Sequence, residues 1–213
     1  RQALFATVSN LPFPDQFDFE ERASTLLEDI LLSSRGGAFV LFTSYKSLQS
    51  FHNRLKSSLE DKGLVCFKQG NSPREKLLEE FKKKGNGVLF GTDSFWEGVD
   101  VVGKSLRCVI IMKLPFKVPS EPLNQVRCEE MRKAGKDPFF SYSLPEAILR
   151  FKQGFGRLLR HKEDRGVVIC LDTRLVKKGY GRHFLKSLPA NLQTFTDEEA
   201  LLSNLGNFFN KSY

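Results

Sequence analysis

The chain has 213 residues, 40% hydrophobic and 27% charged, which is enough apolar content to bury a core and excludes a disordered segment. Its formal net charge is +8 and its pI about 9.4, a balance that favours polyanionic partners, either nucleic acid or nucleotide phosphates. No apolar run of about 18 residues exists, so no membrane span is expected; the first residue is Arg1 with no signal-like stretch after it, so a piece of a longer, cytoplasmic protein is expected.

In chain order, residues 1–20 are aromatic-rich and broken by Pro12 and Pro14, and read as a lead-in segment without regular structure. A helix is predicted over Glu21–Leu32, ended by Gly36-Gly37. Ala38–Thr43 is a continuous apolar run suited to a strand buried on both faces. Leu48, Phe51, Leu55 and Leu59 recur at helical spacing, and Leu64–Phe67 is the next strand. Ser72-Pro73-Arg74-Glu75 has the form of a capping box with proline at the first helical position, before a stripe of Leu77, Leu78 and Phe81. Gly87–Gly91 and Leu106–Leu114 are strand-like, and Glu121–Ala134 is helical. Ser143-Leu144-Pro145-Glu146 repeats the capping-box form and opens a helix through residue 160. Val167–Leu171 is the last predicted strand; short helices over Arg182–Leu188 and Asp197–Phe209 close the chain. Strands alternating with helices predict an α/β fold with a mainly parallel sheet flanked by helices on both faces.

Cys66, Cys108, Cys128 and Cys170 form no CxxC pair, so zinc and iron–sulfur spacings are missing and free thiols are expected. His52, His161 and His183 are too scattered for a metal site or a triad. Asp172 follows a hydrophobic strand, as a magnesium-binding aspartate would, but Arg174 two residues on predicts a salt bridge instead.

Gly98-Val99-Asp100-Val101-Val102-Gly103-Lys104-Ser105 fits the pattern of a phosphate-binding loop. A working loop of that kind leaves a strand directly and opens a helix, so that amides converge on phosphate. Here the strand ends near Gly91, and Leu106–Ile111 reads as another strand, so the match is rejected.

The same region has a second reading. Gly91-Thr92-Asp93-Ser94-Phe95-Trp96-Glu97-Gly98-Val99-Asp100 begins where a buried strand ends, the place where parallel α/β sheets collect ligands. Further on, Gln153, Arg157 and Arg160 fall within one helical arc, opposite Ile148, Phe151, Phe155 and Leu159. Planar arginine forks suit phosphate oxygens and stay charged at any working pH.

This ordered pair resembles the second motor domain of a superfamily 2 helicase. Gly91–Asp100 looks like motif V, Gln153-x-x-Gly156-Arg157-x-x-Arg160 like motif VI, and Phe42-Thr43-Ser44-Tyr45 like motif IV. The wording "GTDSFWEGVDV", "KLPF" at Lys113–Phe116 and "QGFGRLLR" is closest to the DinG branch of the DinG/XPD family. The resemblance implies a RecA-like domain over residues 38–189, with residues 1–37 a lead-in and first helix and 190–213 a helical tail. It implies an ATP-dependent, 5′-to-3′ DNA helicase acting on single-stranded DNA. ATP would lie in a cleft against an N-terminal motor domain of the same protein. That domain would supply the phosphate-loop lysine, the Mg2+ carboxylate and, in many members, an iron–sulfur cluster, none of which is in this sequence.

By the same resemblance, Arg157 and Arg160 reach the γ-phosphate from across the cleft, one of them as an arginine finger. Gln153 positions phosphate or water, and Gly156 belongs to the same nucleotide-facing motif. Glu97, Gly98 and Asp100 lie near the ribose. Thr43, Ser44, Thr92 and Ser94 bond the phosphates of a single strand. Each has a plainer alternative: Gly156 for close helix packing, Asp100 as a turn cap, Thr43 and Ser44 as partners of strand-end backbone, Trp96 as a core wedge and not a base platform. A nucleic-acid-binding or partner-docking module without turnover, and an unrelated α/β enzyme acting on a phosphorylated substrate, are the competing functions.

Overall fold

A computed structural model describes residues 3–92, 105–117, 122–156, 158 and 165–210. Strands β1 (Ala3–Val8), β2 (Ala38–Leu41), β3 (Val65–Lys68), β4 (Gly87–Gly91), β5 (Cys108–Ile111), β6 (Gly166–Cys170) and β7 (Leu192–Phe195) form one sheet in the order β3-β4-β2-β5-β6-β1-β7. Every described pairing is parallel. The strands' carboxyl ends therefore share one edge of the sheet.

Alternation along the strands sends side chains to two separate cores. On one face Ala6, Val40, Phe90, Ile110 and Ile169 meet α1 (Phe19–Ser33), α2 (Tyr45–Asp61) and the last helix. On the other, Phe5, Phe39, Leu89, Val109 and Val168 meet α3 (Arg74–Lys83) and, further along the chain, the helix that carries Ala147, Phe151 and Phe155. Helices on both faces make the three-layer arrangement expected for an all-parallel sheet. The remaining described α-helices are α4 (Pro122–Lys133), α5 (Leu144–Phe155), α6 (Arg174–Lys177), α7 (Gly181–Lys186) and α8 (Glu198–Asn210).

Several local expectations are corrected. Residues 3–8, read as irregular, are β1, lying between β6 and β7; the buried Thr7 hydroxyl donates to Cys170 O at 2.6 Å and so costs the core nothing. Residues 192–195 add an edge strand that the sequence did not announce. Neither capping box forms. Pro73 holds the cap position of α3 without a side-chain bond, and Ser72 Oγ is buried without a partner among the described residues. Ser143 has helical dihedrals (φ −64°, ψ −42°) because a π-helical turn, Phe139–Ser143, runs straight into α5; its hydroxyl does not cap. Glu146 instead pairs with Lys117 at 2.9 Å, and that bond holds the Glu146 carboxyl below the usual range. α5 ends at Phe155 with Gly156 as its cap, short of residue 160.

The four cysteines are free; Cys108 and Cys170 are buried, Cys66 and Cys128 half-buried. No described helix is long and apolar enough to cross a membrane.

Candidate functional site

The sheet's carboxyl edge is set by where the strands stop. Leaving β2, Thr43 is half-buried and Ser44 exposed. Ser44 is in extended conformation and caps α2, its Oγ accepting Ser47 N at 3.2 Å. The plainer reading of Ser44 as a satisfier of backbone groups is thus met, yet its O–H proton stays available to a ligand. The 17-residue α2 points its N-terminus, the positive end of its dipole, at this edge. Thr92 leaves the adjacent β4, and its N–H and hydroxyl both donate to Gln69 Oε1, at 2.6 and 2.9 Å.

Beside them, past β5, stands the "KLPF" segment. Lys113 Nζ donates to Pro14 O at 3.1 Å and sits 5.5 Å from the Phe19 ring centroid. Burial, then the nearby Arg174 charge, push the Lys113 pKa down. Leu114 N donates to Asp172 Oδ2 at 2.8 Å. Asp172 is fully buried and also accepts Arg174 Nη2 at 2.6 Å, Nε at 2.9 Å and the Arg174 backbone N–H at 3.0 Å. The salt bridge expected from the sequence is present, and no group of described residues could hold a metal ion. Arg174 lies 5.9 Å from the Phe116 ring, which packs against Phe139, Tyr180 and Phe184 at 5.6–5.8 Å. Lys177 and Lys178 bracket Phe13 at 5.6 and 4.9 Å. This edge therefore gathers hydroxyls, a helix N-terminus and cations.

α5 runs from one end of the sheet to the other. It begins beside Lys117, beyond the carboxyl end of β5, and its twelve residues rise about 18 Å. Past its end, Leu158 reaches the first residue of β6, where a Cβ on Gly166 would lie 2.6 Å from Leu158 Cδ2. Gln153 and Gly156 thus lie toward the amino ends of the strands, away from Thr43, Ser44 and Thr92. Sequence spacing alone does not separate these two groups. Gln153 is half-buried, and its Oε1 is buried without a partner among the described residues, an acceptor held ready for a donor. Gly156 has φ −68°, which any residue adopts. Among the described residues, a Cβ there would meet the carbonyls of Lys152 (3.2 Å) and Gln153 (3.7 Å).

Thr92 marks the carboxyl edge. Ser105 marks the amino edge, its carbonyl 3.2 Å from the Cβ position of Gly37, just before β2. Residues 93–104 join those two ends. Ser94, Trp96, Glu97, Gly98 and Asp100 belong to that segment, and they, Arg157 and Arg160 lie outside the described residues. Ser105 leads into β5 and not into a helix, consistent with rejecting the phosphate-loop match. Gln69 was missed by sequence reading; its only signal was a glutamine before a glycine at the end of a predicted strand.

A seven-stranded, all-parallel sheet with helices on both faces has the architecture of a RecA-like domain. The chain belongs to the helicase C-terminal domain family, which matches residues 27–191. It is 43% identical over 193 residues to the ATP-dependent DNA helicase YoaA of Haemophilus influenzae, covering 91% of this chain and 30% of that protein. It is 42% identical over 188 residues to the 3'-5' exonuclease DinG of Bacillus subtilis, covering 86% and 20%. The Xpd4 structure of S. tokodaii shares the fold, with a TM-score of 0.65 at 19% identity over 92% of this chain and 39% of that one. The chain spans under a third of the length of these curated relatives.

Proposed function

We propose that this chain is the second motor domain of an ATP-dependent, 5′-to-3′ DNA helicase of the DinG/XPD type. In this reading it takes the backbone of a single strand at the carboxyl edge and the nucleotide at the opposite end. The two-ended placement of the candidate residues carries the proposal. Hydroxyls on Thr43 and Ser44, with the α2 N-terminus, suit phosphate oxygens without reading bases. Gln153 Oε1 and the Gly156 backbone suit a nucleotide that approaches from the other side.

Arg157 follows Gly156 in the sequence and Arg160 comes four residues after it, and this reading assigns both to the nucleotide end. Their role there is to neutralise charge that develops on the transferring phosphoryl group. Asp100, Glu97 and Gly98 would connect that end to Ser94 and Thr92 at the DNA end, so that a change at one is felt at the other. ATP and Mg2+ would be held mainly by the N-terminal motor domain of the same protein. Any iron–sulfur cluster would belong there too, since the cysteines here are buried or scattered. Such a protein works in the cytoplasm, with its DNA.

The test is a comparison of kinetic parameters in the full-length protein. Gln153→Ala is expected to lower ATP turnover or raise the KM for ATP while the half-saturating DNA concentration stays put. Thr43→Ala with Ser44→Ala is expected to raise the half-saturating DNA concentration instead. If both variants move the same parameter, the two-ended assignment is wrong. A full-length protein without any DNA-stimulated ATPase would favour the non-catalytic module.

A further inference from the structure

At the carboxyl edge β3, β4 and β2 lie side by side, so the residues that leave them are neighbours: Gln69, Thr92 and the pair Thr43-Ser44. Gln69 is bonded in both directions. Its N–H donates to Phe90 O at 3.0 Å, continuing the β3–β4 ladder by one step. Its Oε1 accepts both donors of Thr92. Its carbonyl accepts the Tyr45 hydroxyl at 3.4 Å, from the first residue of α2. One residue earlier, Lys68 Nζ donates to Gln49 Oε1 at 2.8 Å, also on α2. Gly70 then turns the chain away at φ +95°, a conformation glycine adopts without strain. A side chain there would press on the Tyr45 hydroxyl at 3.1 Å.

The proton count at Thr92 decides its role. A hydroxyl carries one proton, and here it points at Gln69. The backbone N–H has the same acceptor. A phosphate oxygen needs a donor, and Thr92 has none left in this arrangement. One acceptor oxygen serving two donors of one residue fixes both the Thr92 backbone and its rotamer. Thr92 is also the last described residue before the segment that joins the two ends of the sheet.

We infer that Gln69 is a positioning residue for strand binding: it holds Thr92, at the end of β4, in register with Tyr45 at the N-terminus of α2. The phosphate-facing donors are then Thr43, Ser44 and the α2 amides, and Thr92 acts through the backbone it anchors. This inference rests on reading the carboxyl edge as the DNA side.

The experiment is a double-mutant cycle in the full-length protein, read as DNA-stimulated ATPase against the concentration of an oligothymidylate. Gln69→Met keeps side-chain length and removes the amide oxygen; Gln69→Ala is the second variant, should the first perturb folding. Each is expected to raise the half-saturating DNA concentration about tenfold, equivalent to about 1.4 kcal/mol. The kcat at saturating DNA is expected to stay within about twofold. A merely structural residue would lower thermal stability without this split. Thr92→Ser keeps the donor and is expected to bind normally. Thr92→Val combined with either Gln69 variant is expected to weaken binding no more than the Gln69 variant alone, because the hydroxyl bond that Thr92→Val removes is already lost with the Gln69 oxygen. Fully additive losses would mean that Thr92 touches DNA itself, and would overturn the inference. Normal DNA dependence in both Gln69 variants, while Thr43→Ala with Ser44→Ala still weakens binding, would also overturn it. If neither group of substitutions moves the DNA dependence, the carboxyl-edge reading falls and the inference with it.

Discussion

Replacing Asp172 by alanine tests the reading that this carboxylate anchors the fold. Asp172 is 0% exposed, and four donors converge on it: the N–H groups of Leu114 and Arg174 and two guanidinium nitrogens. Removing it orphans both backbone donors and leaves a guanidinium, 27% exposed, without its counter-charge. Breaking a buried pair from one side costs roughly 3–5 kcal/mol. The Arg174 head keeps some water and lies near the Phe116 ring, so the lower end, about 3 kcal/mol, is expected. For a chain of this size each kcal/mol moves Tm by about 2–4 °C, so a drop of about 6–12 °C is predicted. Thermal and urea unfolding of Asp172→Ala against the parent chain, with the urea m-value unchanged, provide the measurement. Arg174→Ala should cost at least as much, because the stranded carboxylate is the more deeply buried partner. A Tm within about 1 °C of the parent, in a variant that unfolds cooperatively, would refute the anchor role and reopen the metal-carboxylate alternative.

His52 is buried with its ring edge-on to Phe90, 5.4 Å between centroids; burial pushes its pKa below the ordinary 6.5. The unfolded chain therefore takes up the proton first, so stability falls as pH drops below about 6.5 toward the lowered native value and is unaffected above it. His52→Leu should abolish that part of the pH dependence in urea titrations at pH 5 to 8; an unchanged slope would assign it to other groups. Burial raises the Cys66 thiol to about 12 and pushes Cys108 and Cys170 up as well, so a thiol reagent at pH 8 should label Cys108 and Cys170 only after unfolding, as peptide mapping will show. The isolated chain should hydrolyse no ATP, lacking the phosphate-loop lysine and metal ligands. It should also bind single strands weakly, at roughly 10⁻⁴ to 10⁻⁶ M, with affinity falling steeply as salt rises. Turnover near 1 s⁻¹, or salt-independent binding in fluorescence anisotropy, would contradict this.

The alternation of apolar runs with helical periods made the three-layer parallel sheet legible, because fully buried parallel strands leave uninterrupted apolar stretches such as Ala38–Phe42 and Val167–Leu171. β1 was hidden by its surroundings: Pro12 and Pro14 a few residues on suggested irregular chain, and the partner that satisfies the buried Thr7 hydroxyl, Cys170 O, is 163 residues away. β7 has four residues, only partly buried, and no periodicity can betray so short an edge. The capping boxes misled because the spacing is right but the bonding is not: Pro73, not Ser72, holds the cap position of α3, and Ser143 is helical and its hydroxyl does not cap. At the site, residue types were legible and placement was not. Thr43, Ser44 and Thr92 could be read as hydroxyls at strand ends, but their separation from Gln153 and Gly156 depends on α5 running back along the sheet. The capture of Thr92 by Gln69 joins residues 23 apart and is visible only once β3 and β4 are paired.

The most direct test of the account is Arg160→Ala in the full-length protein, assayed for DNA-stimulated ATP hydrolysis and, separately, for single-strand affinity. If Arg160 meets transition-state charge from across the nucleotide cleft, turnover should fall by roughly 10³- to 10⁵-fold. DNA affinity should change by less than about threefold if the strand-binding surface lies, as proposed, at the carboxyl edge. Near-normal ATPase, or a loss of DNA binding that accounts for the whole defect, would contradict the assignment of the nucleotide to this end of the domain.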